Sequence, residues 1–572
     1  MNPFTYYIKL FKRFPLVRIL TWVVGIAFIF LITALIGKNV HKKPVISFIS
    51  PAVGSPGDIL VIEGENFGDL RDSAYVEIAG SRITSSGYLS WSSDKIRLVL
   101  PSNVQDGLLI VATDAGRSEP VFFANENGIP VAVRSDPQTT LPVIASITPD
   151  KAQVGETIII TGNNFGTARG TSKIFFTANR EDAASSDNAS QNSDVQFISA
   201  NENDWDYELW SDTEIHVHVP DGADSGNIYV ETERGQSALQ KITVNFPMGK
   251  KNYSTRRTYV VQITADVSNN APHQDASITL YMPRPPVSSI QPVADLNEYF
   301  PEPLIKDDPC NIIHQKPLSH IVNNKQRFSQ NFVISVYSVD SNIKPSSIKR
   351  YTNTKSVLYS AYTTPDNCVL SGDSAVLALR DAILGGERNP YKAAKAFYDY
   401  IIDNYKITES IRSGKVSVLD LIRRKTGDAY DAAILYTALC RSAGIPALPV
   451  SGVLAESDSN TRNHWWTEIY FEGYGWFPVD VSLGAGLKWK PFSAGEALEK
   501  YEGDMRSFYF GNLDSQHIAF SRGYREIRPS LLNSKIVQRP RTYALQSIWE
   551  EASDQTSSYS SLWNNPTITG IY

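Results

Sequence analysis

The sequence predicts a multidomain chain: a membrane-spanning helix, two tandem β-domains, a further β-rich region and an α+β core. Three observations carry this reading. Ile19 to Ile36 is a run of 18 residues without a charge, long enough to cross the hydrocarbon core of a bilayer. Pro51, Gly57, Gly64, Asn66, Phe67 and Gly68 recur as Pro149, Gly155, Gly162, Asn164, Phe165 and Gly166, each displaced by 98 residues, the mark of a duplication. Between Gly427 and Asp480 a helical run stopped by Gly444 and Pro446 leads into two aromatic-rich runs about a turn at Glu472-Gly473-Tyr474-Gly475, a hairpin signature. At 572 residues the chain is too long for one core.

Residues 1–43 are expected to form a cytoplasmic N-terminus and an anchor at 19–36. Lys9, Lys12, Arg13 and Arg18 precede the apolar run, and Lys38, Lys42 and Lys43 follow it. The positive-inside rule then favours a cytoplasmic N-terminus by four to three. No small-x-small cleavage site closes the run, which favours an uncleaved anchor over a signal peptide. The expectation is a single-pass protein of the cytoplasmic (inner) membrane with the bulk of the chain extracytoplasmic; placement inside the cytoplasm is the alternative. Charged residues make up 20% with a net charge of −6 and no long basic block, which argues against a nucleic-acid partner.

The repeats occupy 44–125 and 142–246. Ile96, Pro101 and Gly107 recur as Ile215, Pro220 and Gly226 after 119 residues, which puts an insertion of 21 residues in the second copy, around Glu181 to Asp194. The Gly64-Glu65-Asn66-Phe67-Gly68 turn in duplicate resembles that of IPT/TIG domains, Ig-like β-sandwiches. That resemblance implies a fold and assigns no function. With no catalytic cluster in their sequences, the repeats read as spacers.

Alternating runs at Tyr259 to Val267, Ile278 to Met282 and Phe332 to Val339 make 257–380 a β-rich domain. Cys310 and Cys368 both fall in it, and outside the cytoplasm such a pair points to a disulfide; two unpaired thiols are the alternative. The third cysteine, Cys440, lies in a helical run and reads as a small buried apolar side chain.

The core spans 388–530. Asn389-Pro390 opens a helix reaching about Tyr405, and Asp431 to Ser442 forms a second. A hairpin centred on residue 472 would place His464 opposite Asp480, within reach of an imidazole–carboxylate bond. Gly427-Asp428-Ala429-Tyr430-Asp431, Gly444-Ile445-Pro446, His464-Trp465-Trp466-Thr467-Glu468 and Gly475-Trp476-Phe477-Pro478-Val479-Asp480 together resemble the core of the transglutaminase-like superfamily, which is papain-like. The resemblance implies a Cys–His–Asp triad with His464 and Asp480 as two members, and it puts the nucleophile at position 429, which holds Ala. A methyl group can neither ionise nor attack a carbonyl.

Trp466, Tyr430 and Asp428 are the candidates for lining a binding cleft, and neither a cofactor nor a metal is expected. The leading expectation is a membrane-anchored pseudoenzyme that binds a peptide or protein in a degenerate cleft. The alternatives are a hydrolase that uses water or another nucleophile and a structural or adhesive surface protein. Residues 531–572 form a C-terminal extension, whose Ser-rich stretch from Ala552 to Leu562 reads as a loosely held tail.

Overall fold

The computed structural model describes the chain apart from residues 1–2, 38–41, 72, 103, 126–140, 181–196, 272–275, 322–324, 412–416, 418, 458, 493–502, 526, 528, 531–533, 540, 555 and 557. The expected insertion around 181–194 and most of the junction between the repeats therefore lie outside the described residues. The apolar N-terminal stretch is helical over Pro15–Gly37, with side chains described as far as Ala27. Among the described residues no helix is long and apolar enough to cross a membrane.

Each repeat is a sandwich of two sheets with the same strand order. Their first strands even share a bulge, between Ile46 and Phe48 in one and Ile144 and Ser146 in the other. The duplicated turn has a physical basis at each position. A Cβ on Gly64 or Gly162 would overlap the carbonyl oxygen of Val45 or Val143 on the neighbouring strand. Asn66 and Asn164 hold φ at 63° and 65°, a left-handed conformation that Asn tolerates. Phe67 and Phe165 are buried in the two sandwich cores.

The second repeat is not a free spacer, because it is docked on the core through buried charge. Arg522 donates to Asp204 of the repeat at 2.8 Å and to Glu468 of the core at 2.6 and 2.9 Å. Lys251, in the strand that follows the repeat, pairs with Asp221 and donates to the Trp476 carbonyl at 2.6 Å. Removing such groups from water is costly unless they are paired, so these contacts fix the relative placement of the two domains.

The β-rich domain is built on the long antiparallel pair Gly249–Ala271 and Lys325–Ile343. Its sheets are completed from the far end of the chain, which corrects the expectation of a loose tail. Ser558–Trp563 and Thr567–Ile571 pair with Gly249–Ala271, and Trp549–Ala552 pairs with Ser277–Pro283. Ser561 is engaged in the fold: its Oγ and Trp563 Nε1 each donate at 2.5 Å to Glu550, a carboxylate with no exposed surface. Within the stretch expected to be β-rich, residues 357–363 and 374–384 are instead helical.

Helices α1 (Ser374–Leu384) and α2 (Pro390–Asn404) pack on α3 (Ala429–Ser442), which lies against the core sheet. As the sequence predicts, Asn389 caps α2 by accepting from the Lys392 N–H at 3.1 Å, and Ala394, Phe397 and Ile401 are buried. The sheet has four strands, β1 (Ala447–Ala455), β2 (Thr461–Phe471), β3 (Gly475–Val479) and β4 (His517–Arg522), in the order β3-β2-β1-β4. Residues 509–514 form no strand and make isolated bridges at Phe510 and Leu513.

Candidate active site

The β2–β3 hairpin pairs Thr467 with Val479 and Phe471 with Gly475, so its centre is residue 473 and not 472. Asp480 is thus level with Trp466, and His464 reaches it diagonally. A shift of two residues keeps a side chain on the same face of a strand, so the pair still meets. His464 Nε2 lies 2.5 Å from Asp480 Oδ2, and both residues are buried. Asp480 Oδ1 also caps the next turn, accepting from the N–H groups of Ser482 and Leu483 at 3.0 and 2.9 Å and from Ser482 Oγ at 2.8 Å.

A second imidazole, missed in the sequence, completes the cluster. His517 Nε2 lies 3.2 Å from Asp480 Oδ2, and its Nδ1 lies 3.0 Å from Asp514 Oδ1. Each ring nitrogen faces a carboxylate, which only the doubly protonated ring satisfies. Burial opposes that charge, but Asp514 and Asp480 outweigh it and raise the pKa of His517 to about 9. Burial also disfavours ionised Asp480, yet the two imidazoles outweigh it and hold the carboxyl far below the usual range.

For His464 burial wins over Asp480, and the ring is held neutral. A neutral His464 donates Nε2–H to Asp480 and keeps its lone pair on Nδ1, which has no hydrogen-bond partner among the described residues. That is the tautomer a general base requires. The ligand atoms of His464, Asp480 and His517 lie within 4.8 Å of one another, a spacing that could hold a metal ion. Shared protons already satisfy the Nε2 atoms and the carboxylate.

No nucleophile accompanies the base at the first turn of α3. Ala429 is its first residue, and Asp428 caps it, accepting from the Asp431 N–H at 3.0 Å while Asp431 accepts from the Asp428 N–H at 3.1 Å. Both carboxylates are bound by Arg541, with Nη1 at 3.0 and 2.9 Å from Asp428 and Nη2 at 2.8 Å from Asp431. The same guanidinium covers the Tyr430 ring at 4.3 Å. Trp465, on the opposite face of β2 from His464, meets Tyr430 edge-on at 5.7 Å.

These contacts correct the expected binding residues. Asp428 and Trp466 are 1% and 2% exposed, and Tyr430 lies beneath Arg541, so in this conformation they line no open cleft. The physical reason is the C-terminal segment at 541–545. Its Arg541 neutralises the turn, and Ser451 Oγ donates to the Thr542 carbonyl at 2.8 Å.

The expected disulfide is absent, and all three cysteines are free. Cys368 Sγ lies 3.4 Å from Tyr430 Oη, whereas Cys310 lies at the edge of the β-rich domain, where its carbonyl accepts from the Arg284 N–H at 2.9 Å. Burial pushes Cys310 up to about 11 and Cys368 up to about 12, and it raises Cys440 as well. None is a thiolate at neutral pH.

Residues 377–481 match the transglutaminase-like superfamily, a span that takes in Ala429, His464 and Asp480, and residues 44–125 and 142–247 match the IPT/TIG domain. This chain carries a transglutaminase-like core behind two IPT/TIG domains. An uncharacterized protein of Haemophilus influenzae is 25% identical over 204 residues, 30% of this chain and 54% of that protein. The chain thus spans about half the length of that relative. A cyclomaltodextrin glucanotransferase of Bacillus sp. is 32% identical over 121 residues, 19% of this chain and 16% of that enzyme. Among solved structures, the periplasmic domain of TgpA from Pseudomonas aeruginosa aligns with 46% of this chain and 93% of its own length, at 12% identity and a TM-score of 0.24.

Proposed function

We propose that this protein is a membrane-anchored, extracytoplasmic pseudoenzyme whose transglutaminase-like core performs no covalent catalysis. The observation that carries this is Ala429 at the first turn of α3, in a chain that keeps His464 and Asp480 hydrogen-bonded. Acyl transfer through a thiolate needs the sulfur, and a base alone supplies none. The neighbouring carboxylates offer no replacement, because Arg541 binds both. Hydrolysis by water activated at His464 is disfavoured by an imidazole only 1% exposed.

Anchoring is supported by the helix Pro15–Gly37, on which Leu16, Ile19, Leu20, Trp22, Val23, Val24 and Ile26 are all more than half exposed. Apolar side chains at that density favour lipid over water. A peptide or protein remains the expected partner, through a surface other than the closed first turn of α3. The second IPT/TIG domain, docked on the core through buried ion pairs, also supports a structural role.

Two measurements test the reading. Purified protein should show no amine incorporation into glutamine peptides and no peptidase activity; turnover that disappears in His464→Ala would refute the pseudoenzyme. Protease added to intact spheroplasts should digest the IPT/TIG domains and the core. Survival of both until lysis would overturn the topology.

A further inference from the structure

The end of α3 remote from Ala429 is open. A cavity of about 650 Å³ lies there, between the C-termini of α1 and α3 and the N-terminus of α2. That volume is in the range of small-molecule sites, and α3 is 14 residues long, which puts the cavity roughly 20 Å from position 429. We propose that this cavity binds a ligand carrying two carboxylate groups, through Arg350 and Arg388.

The charge balance of the lining supports this. Helix C-termini would ordinarily make such a place negative, but here several of the last-turn carbonyls are taken. Cys440 O accepts from the Ile445 N–H at 3.0 Å, Arg441 O from the Gly444 N–H at 2.9 Å, and Ser442 O from Arg380 Nη1 at 2.7 Å. In α1, Asp381 O accepts from the Gly385 N–H at 3.1 Å and Leu384 O from the Glu387 N–H at 2.9 Å.

Of the two acids in the lining, Asp381 is neutralised and Glu387 stays ionised, held by backbone amides, so three arginines meet two carboxylates. Asp381 pairs with Arg380 at 2.7 Å, and Glu387 Oε1 accepts from the N–H groups of Arg388 and Asn389 at 2.8 Å each. That leaves the guanidinium groups of Arg350 and Arg388, both exposed, without an acid partner among the described residues.

Guanidinium binds carboxylate through two parallel N–H bonds, which gives the pair its geometric selectivity. The lining is also aromatic: Tyr351 and Tyr359 meet edge-to-face at 5.3 Å, and Tyr351 is fixed by a bond to the Tyr470 carbonyl at 2.6 Å. An apolar linker joining the two carboxylates suits an aromatic lining. This inference does not depend on whether the core is catalytically silent.

The test is calorimetric titration of the full chain in detergent with three probes: glutarate, an N-acetylated peptide containing two glutamates, and inorganic phosphate. A dicarboxylate should bind at one site per chain, more tightly than phosphate. Arg350→Ala and Arg388→Ala should each weaken it about tenfold or more, with Arg388→Lys intermediate. Preference for the peptide identifies an acidic protein segment as the natural source, and equal or better binding of glutarate identifies a free dicarboxylate. Because both arginines are exposed and lack acid partners, the variants should fold, and an unchanged melting temperature checks this. No heat at millimolar probe, or binding that survives both substitutions, overturns the proposal.

Discussion

His517 and His464 share one carboxylate oxygen, Oδ2 of Asp480, at 3.2 and 2.5 Å, and the sharing drives their titrations apart. His517 is clamped on its other nitrogen by Asp514, which Tyr509 Oη also contacts at 2.9 Å, and it is held charged. His464 has no second acid among the described residues and is held neutral. One carboxylate therefore serves one imidazolium and one imidazole.

This arrangement predicts a stability that declines on both sides of about pH 6.5. The folded pKa of His517 is raised from 6.5 to about 9. Its contribution is therefore complete below pH 6.5 and is lost as pH rises through 9, an effect of about 3 kcal/mol. The pKa of His464 is lowered, so the folded state binds fewer protons there and loses stability as pH falls below 6.5. Denaturant unfolding between pH 6 and 9.5 should reveal the alkaline limb, and His517→Gln should flatten it. A limb that persists unchanged in that variant would assign it elsewhere.

Removing Arg541 should be among the more damaging single changes in the core. Arg541→Ala leaves Asp428 and Asp431 buried without countercharge, a loss of about 3–5 kcal/mol. Adding Asp428→Asn to the variant should recover part of it, since the amide keeps the cap. Hydrogen exchange at Ala429 to Ala433 should accelerate in the single variant, and protection equal to wild type would mean that the ion pairs do not hold this turn.

Three thiols should react when the protein is denatured without reductant, because Cys310, Cys368 and Cys440 are unpaired. In the native protein all should react slowly, as their raised pKa values leave little thiolate. One thiol in place of three would restore the disulfide.

Ala429→Cys should place a thiol where the retained base can accept its proton. Thiolate absorbance followed against pH needs no access for a reagent, and it should report a pKa at least one unit below the ordinary value of about 8.5. Combining it with His464→Ala should return the value to normal. Identical titrations in the two backgrounds would show that position 429 and the imidazole do not interact.

Much of this was legible in the sequence because local rules were at work. The Asn389 cap and the Gly444 stop depend on residues within a few positions, and the duplicated turn was visible because it occurs twice. The His464–Asp480 pair survived a wrong hairpin centre because an error of two residues preserves the strand face. What could not be read came from distant segments: Arg541 crosses from the C-terminal extension to the first turn of α3, and Arg522 crosses to Asp204. Asp514 and His517, three residues apart, carried a faint signal, but their partner Asp480 lay outside any motif linking them. The Ser-rich composition misled because it does not reveal the buried Glu550 that Ser561 serves.

The strands that close the β-rich domain also set a timetable for biosynthesis. Tyr259 finds its partner Ile571 only after roughly 300 more residues have been made, and such distant pairing is slow to form. At about 5–20 residues per second, Gly249–Ala271 waits roughly 15–60 s with one edge open. The core between them has time to fold first, as an insert within a domain still incomplete. A chain ended after residue 530 would keep every member of the His464 cluster yet lose both the strands that seal that edge and Arg541, so premature termination should yield an aggregating protein rather than a smaller working one.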